Sequence, residues 1–162
     1  KMCKPRYQDY QAKDIPIASC GDGVSVRVMA GESLGASGPI KMRNPGMLLD
    51  VRLSKGGTIK QEVPSEWNGF VYVYKAAGGN ISGTEAKEQH ALVLGNGDHI
   101  EATAPPGGDL CFLLIAGRPI GEPIVQHGPF VMNTQEEIMQ AFRDYQNGML
   151  QNPADNPWKD EM

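Results

Sequence analysis

Short runs of alternating apolar and polar residues, separated by glycine-rich turns, occupy most of the chain. In Val24–Ala30, which reads VSVRVMA, the valines fall on one face while Ser25 and Arg27 fall on the other. This period of two is typical of a half-buried β-strand. Comparable apolar runs lie at 47–54, 70–74, 90–104 and 110–117. Strands this short, punctuated by turns, predict one all-β domain built as a sandwich or a barrel.

The run at 47–54 predicts which side chains face the core. Leu49, Val51 and Leu53 alternate with Asp50 and Arg52, so we expect the aliphatic set inside and the charged set in solvent.

The sequence Gly95-Asn96-Gly97-Asp98 lies between two short apolar runs and predicts a tight turn of the hairpin type. Residues 110–117 read LCFLLIAG, which is apolar throughout and predicts a strand buried on both faces.

One helix is predicted near the C-terminal end. Thr134 and Glu137 have the spacing of a capping box, in which each side chain accepts a hydrogen bond from the other residue's backbone N–H. Gly148 supplies the stop signal. The apolar stripe of the helix consists of Ile138, Ala141, Phe142 and Tyr145.

The segment His127-Gly128-Pro129 precedes this helix. We interpret it as a corner that directs the last strand into the helix, with His127 as a hydrogen-bonded structural residue and Phe130 and Val131 entering the core. A ligand or acid-base role for His127 stays open.

Composition excludes several classes of partner. The formal charge is −4 and the basic residues are scattered, so direct nucleic-acid binding is not expected. No apolar run approaches the roughly 18 residues that span a bilayer, so we expect no membrane insertion. The odd set Cys3, Cys20 and Cys111 has no CxxC spacing, and Cys111 lies in the apolar run at 110–117. These features favour a buried thiol and a reducing cytoplasm or nucleus.

His90 and His99 are the weak candidates for a metal site. They flank the expected turn, and Glu88, Asp98 and Glu101 could add oxygen ligands. No HxH or HxxxH pair places two imidazoles on one face, so we favour an ordinary solvated turn.

Aromatic residues supply a candidate pocket. Trp67, Phe70 and Tyr72 could line an apolar site for a small molecule, but alternating aromatics on a strand are more often part of the core, which is the interpretation we favour.

Five segments together resemble the C-terminal half of pirin family proteins. They are KMCKPRYQDYQAKDIP, VMAGES, VPSEWNGFVYV, LVLGNGDHIEATA and LLIAGRPIGEPIVQHGPFVMNTQEEIMQAFRDYQNG. The resemblance implies a bicupin: two cupin barrels in one chain, with an iron site of three histidines and a glutamate in the N-terminal barrel. For residues 21–148 it implies a cupin-like antiparallel β-barrel of the jelly-roll type that ends in one α-helix. The polar segment at 1–20, with two prolines, is expected to be a linker or edge segment, and the tail at 149–162, with Asn-Pro twice, is expected to be irregular.

The resemblance also implies a function. Glu62-Val63-Pro64 stands about where a cupin places its HxH ligand pair, so we expect no catalytic, cofactor or metal residue in this half, and iron only in the N-terminal half. The whole protein would be an iron-dependent transcriptional co-regulator, a quercetin dioxygenase, or both, in the cytoplasm or nucleus. The initial Lys1 before Met2 suggests an excised piece.

This half would then support the N-terminal half and offer a surface to transcription-related or signalling proteins. Two alternatives stay open: a stand-alone small-molecule-binding cupin, and a metal-dependent dioxygenase that uses His90 and His99.

Overall fold

The computed structural model describes residues 6–21 and 23–151. The chain divides into two compact units, and the described residues of the first unit, Asp9–Pro119, form twelve strands. In chain order they are β1 (Ile17–Ser19), β2 (Val24–Ala30), β3 (Glu32–Ser33), β4 (Ala36–Ser37), β5 (Gly46–Ser54), β6 (Thr58–Glu62), β7 (Asn68–Ala76), β8 (Asn80–Ile81), β9 (Thr84–Glu85), β10 (His90–Val93), β11 (His99–Thr103) and β12 (Asp109–Gly117).

The strands form two main antiparallel sheets. One has six strands in the order β1-β2-β5-β12-β7-β10, and the other has four in the order β6-β11-β8-β9. Strands β3 and β4 pair separately. The inward side chains of both sheets form one hydrophobic core, which confirms the predicted all-β architecture.

The alternating pattern correctly predicts the buried residues of β2, and it does so in part for β5. Val26 and Val28 are fully buried, and so are Leu49 and Val51. Asp50 contradicts the prediction, because it is buried although it faces away from the core. Its surroundings on the outer face of the sheet provide the reason and are described below.

Phe70 and Tyr72 of β7 are not core residues, so the interpretation we favoured is wrong for them, whereas Trp67 does pack against the core. Val71 and Val73 are fully buried, whereas Phe70 is 38% exposed and Tyr72 37% exposed. One face of β7 must point inward, and the valines occupy it beside Phe112 and Leu114 of β12. The alternating pattern of β7 correctly assigns its residues to two faces, but it does not indicate which face is buried.

The turn at residues 95–98 does not close a hairpin. Strand β10 before it pairs with β7 in the larger sheet, while β11 after it pairs with β6 and β8 in the smaller one. The connection therefore carries the chain from one sheet to the other, which the turn residues alone could not distinguish from a hairpin.

The second unit includes described residues 6–8 and 120–151. It contains β13 (Val125–His127), β14 (Phe130–Met132) and the helix α1 (Gln135–Gln146), followed by a 3-10 turn at Met149–Gln151. The rest of the predicted irregular tail lies outside the described residues. Within the part of the chain that is described, no helix is long and apolar enough to cross a membrane.

Helix α1 begins as predicted. Glu137 donates its backbone N–H to Thr134 Oγ1 at 3.2 Å, and Glu137 Oε2 accepts from the Thr134 N–H at 3.0 Å. The same carboxylate oxygen accepts from the Asn133 N–H at 2.9 Å. Ile138 and Ala141 are buried, whereas Tyr145 is exposed.

The segment at His127 is a hairpin loop rather than a corner that leads into the helix. His127 pairs with Phe130 across the two-residue loop Gly128-Pro129. The His127 ring packs edge-on against Phe142, with ring centroids 5.2 Å apart, and no hydrogen bond of that ring is found within residues 6–21 and 23–151. Val131 is 37% exposed and does not enter a core.

Gly128→Val should destabilise this hairpin through its backbone. Gly128 has φ +55°, and an added Cβ would meet no atom within 4 Å, so the cost comes from the left-handed conformation alone. That cost is about 1–2 kcal/mol for a residue with a side chain. Hydrogen exchange of the amides of β13 and β14 measures it. Gly107→Val is the control, because Gly107 also has open space but no positive φ; equal protection in both variants would contradict the prediction.

Candidate functional site

The position where a cupin places its first metal ligands lies at the end of β6. Glu62 is exposed and closes the strand, Val63 is buried and donates its backbone N–H to the Asp98 carbonyl at 2.9 Å, and Pro64 begins a turn. The carbonyl of Pro64 accepts from the Trp67 N–H at 2.9 Å. Valine and proline have no side-chain atom that can bind a metal, so a ligand pair is missing from this position.

The two histidine candidates lie in different sheets. His90, on β10, donates from Nδ1 to the Glu88 carbonyl at 2.9 Å. His99, on β11, donates from Nδ1 to the Asp98 carboxylate, and its Nε2 lies 3.5 Å from Glu101 Oε1. The hydrogen bond from His99 lowers the pKa of the Asp98 carboxyl below its ordinary value. Both nitrogens of His99 are therefore adjacent to carboxylates.

These side chains do not form a counterpart of the iron site that the resemblance implies for the N-terminal barrel. Within residues 6–21 and 23–151, no group of three or more histidine, cysteine or acidic residues could hold a metal ion. The alternative dioxygenase site is likewise not assembled among the described residues, where His90 and His99 belong to no group of three possible ligands and lie on strands of different sheets.

A cavity of about 600 Å³ opens beside β6, next to the Glu62-Val63-Pro64 segment. Its apolar lining residues are Met47, Val63, Pro64 and Trp67. Its polar lining residues are Glu32, Lys60, Gln61, Glu62, Asp98 and His99.

Gln61 is the buried polar residue of this cavity, with 7% of its surface exposed. Its Nε2 donates to the Glu62 carbonyl at 2.9 Å and to the Glu32 carbonyl at 3.3 Å. These two acceptors fix the orientation of the amide, because only the nitrogen can face them. The alternation of β6 predicts an inward residue at this position but not a polar one.

The structure does not bring the three residues of the candidate aromatic pocket together. Trp67 lines the cavity beside β6, whereas Phe70 and Tyr72 project from the outer face of the larger sheet. They belong there to a group of cross-strand neighbours that we call the apolar band: Leu48, Phe70, Tyr72, Val93, Leu113 and Ile115.

A polar cluster around the buried carboxylate of Asp50 lies on the same outer face. Tyr74 donates its hydroxyl to Asp50 Oδ1 at 2.6 Å, and Arg52 donates to Asp50 Oδ2 from Nε at 3.2 Å and from Nη2 at 2.9 Å. Burial, followed by the hydrogen bond to Asp50, raises the pKa of Tyr74 above its ordinary value. Hydrogen bonding with Asp50 also raises the pKa of Arg52.

A β-bulge accounts for this cluster and for its absence from our predictions. Val73 pairs with Phe112 while Lys75 pairs with Cys111, so Tyr74 is the extra residue on β7. Cys111 is buried as predicted, and burial raises the pKa of its thiol. The Asp-x-Arg spacing on β5 was a usable signal for the ion pair, but no sequence pattern marked the bulge.

The sequence matches the Pirin C-terminal cupin domain over residues 48–151. A pirin-like protein of Solanum lycopersicum is 46% identical over 150 residues, which are 91% of this chain and 51% of that protein. Pirin of Homo sapiens is 37% identical over 165 residues, which cover 100% of this chain and 57% of that protein. The chain thus spans about half the length of the curated relatives it matches.

Solved structures give the same result for the fold. A crystal structure of quercetin 2,3-dioxygenase from Acinetobacter baumannii has a TM-score of 0.75 and 34% identity, over 92% of this chain and 52% of that one. A structure from Geobacillus kaustophilus has a TM-score of 0.65 and 31% identity, over 76% of this chain and 51% of that one.

Tyr74→Phe should destabilise the protein at pH 7 by about 1.5 kcal/mol, because Asp50 loses a hydrogen-bond donor. The pKa of Tyr74 is raised from 10.0, so its contribution is fully present below pH 10. Above that pH the unfolded tyrosine ionises while the folded one keeps its proton, and the contribution is lost.

Denaturant unfolding between pH 7 and pH 11 should therefore show the gap between wild type and Tyr74→Phe closing above pH 10. Tyr72→Phe is the control, because none of the described residues accepts from or donates to the Tyr72 hydroxyl. A gap that stays constant, or that widens, would contradict the assignment.

Proposed function

Because the chain belongs to the pirin family and matches its C-terminal cupin half, we propose that it acts as the metal-free partner of an iron-containing N-terminal half. The observation that carries this proposal is the Glu62-Val63-Pro64 segment at the expected ligand position, together with histidines that lie in different sheets. A half without its own metal ligands acts by supporting the other half and by recognition.

The apolar band is the surface we assign to the N-terminal half. Val93 is 84% exposed, and it lies opposite Phe70, which in turn lies opposite Ile115. A continuous exposed apolar patch on a sheet typically marks an interface. The relatives are about twice as long as this chain, so a partner of similar size is available in the same polypeptide.

For the whole protein we propose two activities suggested by relatives. The neighbour from Acinetobacter baumannii is a quercetin 2,3-dioxygenase, and a similar reaction would use the iron of the N-terminal half. The pirin resemblance adds iron-dependent transcriptional co-regulation in the cytoplasm or nucleus, with transcription-related or signalling proteins as partners. In both cases this half contributes surface rather than reacting groups.

Elemental analysis of the purified chain tests the metal-free role. After iron loading under reducing conditions, we expect less than about a tenth of an equivalent of bound iron, because no preformed set of ligands offsets the hydration of the ion.

His90→Ala and His99→Ala are the matched variants for this measurement. The proposal would be overturned if the wild-type chain bound iron at near one equivalent and either variant lost it. That result would restore the dioxygenase alternative for this half.

Co-expression tests the interface. The N-terminal half of the Solanum lycopersicum relative, supplied as a separate polypeptide, should co-purify with this chain. Replacing both Phe70 and Tyr72 by serine should reduce recovery at least about tenfold, because aromatic anchors dominate interface energies.

Met139→Ser is the control, since Met139 is 56% exposed but lies on α1. Circular dichroism and thermal unfolding establish that each variant is folded. Unchanged recovery in the folded double variant would show that the N-terminal half binds another surface.

A further inference from the structure

The cavity beside β6 has features that neither the fold nor the metal-free role explains. It holds about 600 Å³, enough for a small organic molecule, and is lined by residues of β3, β5, β6 and the start of β11. None of its lining residues belongs to the apolar band.

The first feature is an unused acceptor. The Gln61 amide donates twice from Nε2, and across the described residues no group donates to its Oε1. Oε1 nevertheless keeps some contact with solvent. Because Gln61 is 93% buried and lines the cavity, we expect the remaining contact of Oε1 with solvent to be through the cavity. It can accept an N–H or O–H hydrogen bond there.

The second feature is the charge of the lining. Glu32, Glu62 and Asp98 are acidic, whereas Lys60 is the one lysine or arginine of the lining, and its Nζ lies 3.8 Å from Glu101. The Glu62 carboxylate makes no hydrogen bond or ion pair with the described residues. A cleft lined mainly by one sign of charge attracts ligands of the other sign.

The third feature is the apolar wall, which includes Trp67. Its indole is partly exposed and lines the cavity together with buried Met47 and Val63. An indole face attracts cations, and it also packs against flat apolar groups.

We propose that this cavity binds a small protonated amine carried on a flat apolar body. The ammonium group donates to Gln61 Oε1 under the field of Glu62 and its acidic neighbours, and the apolar body packs against Trp67. The acidic lining would repel an anion, and it would give a neutral ring no electrostatic attraction. A bare divalent cation would find no cluster of three histidine, cysteine or acidic side chains among the described residues. The inference does not depend on the proposed docking of the N-terminal half.

A matched ligand pair tests the proposal. Benzylamine is protonated at pH 7 and benzyl alcohol is neutral, although the two have nearly the same shape. Calorimetric titration of the full chain should give saturable binding of benzylamine, at least about fivefold tighter than benzyl alcohol. Equal affinity for both, tighter binding of the alcohol, or no saturable binding of benzylamine would each overturn the proposal.

Protein variants identify the site. Glu62→Gln should weaken benzylamine about threefold to fivefold and leave benzyl alcohol unchanged. Glu85→Gln removes the same charge from an exposed residue that does not line the cavity, so it should leave both affinities unchanged. If Glu85→Gln weakens benzylamine as much as Glu62→Gln does, the attraction is a general one to an acidic protein and the site is refuted.

Tryptophan fluorescence gives a second readout. In a Trp158→Phe background Trp67 is the remaining tryptophan of the sequence. Saturating benzylamine should change its emission, and Gln61→Met, which removes the acceptor at similar volume, should shift the midpoint to higher concentration. An emission that does not respond would place the amine elsewhere and contradict the proposal.

Discussion

The larger sheet depends on the pairing of β12 with β5 on one side and β7 on the other. Nine residues of β12, from Asp109 to Gly117, are in register with β5, and the strand keeps pairing with β7 across a bulge. Its inward side chains, including Leu110, Phe112 and Leu114, are fully buried. A strand with two neighbours has its backbone hydrogen bonds satisfied in the sheet, so an apolar strand such as β12 is stable at this position.

The central pairing also determines what the outer face can hold. Asp50 lies directly across from Leu113, and a buried carboxylate there would be costly without partners. Arg52 and Tyr74 supply those partners, which is why one polar cluster exists beside the apolar band. Cluster and band together make this face chemically different from the cavity beside β6, where Gln61 is the buried polar group.

Patterns within one segment could be predicted from the sequence, and relations between segments could not. The alternation of β2 and the capping residues Thr134 and Glu137 depend on neighbours in the chain, so their signals are local. Which face of β7 is buried, and whether residues 95–98 join two strands or two sheets, depend on partners distant in sequence. The cavity combines residues from four strands and from the turns that connect strands, so only the folded chain brings its lining together.

The order of the larger sheet has a consequence for synthesis on the ribosome. Its central strand, β12, is the last of its six strands to be made, so β5 and β7 emerge with their pairing edges unoccupied. Unpaired edges on hydrophobic strands favour intermolecular association. Until Gly117 has left the exit tunnel, the two parts of the sheet lack the strand that joins them.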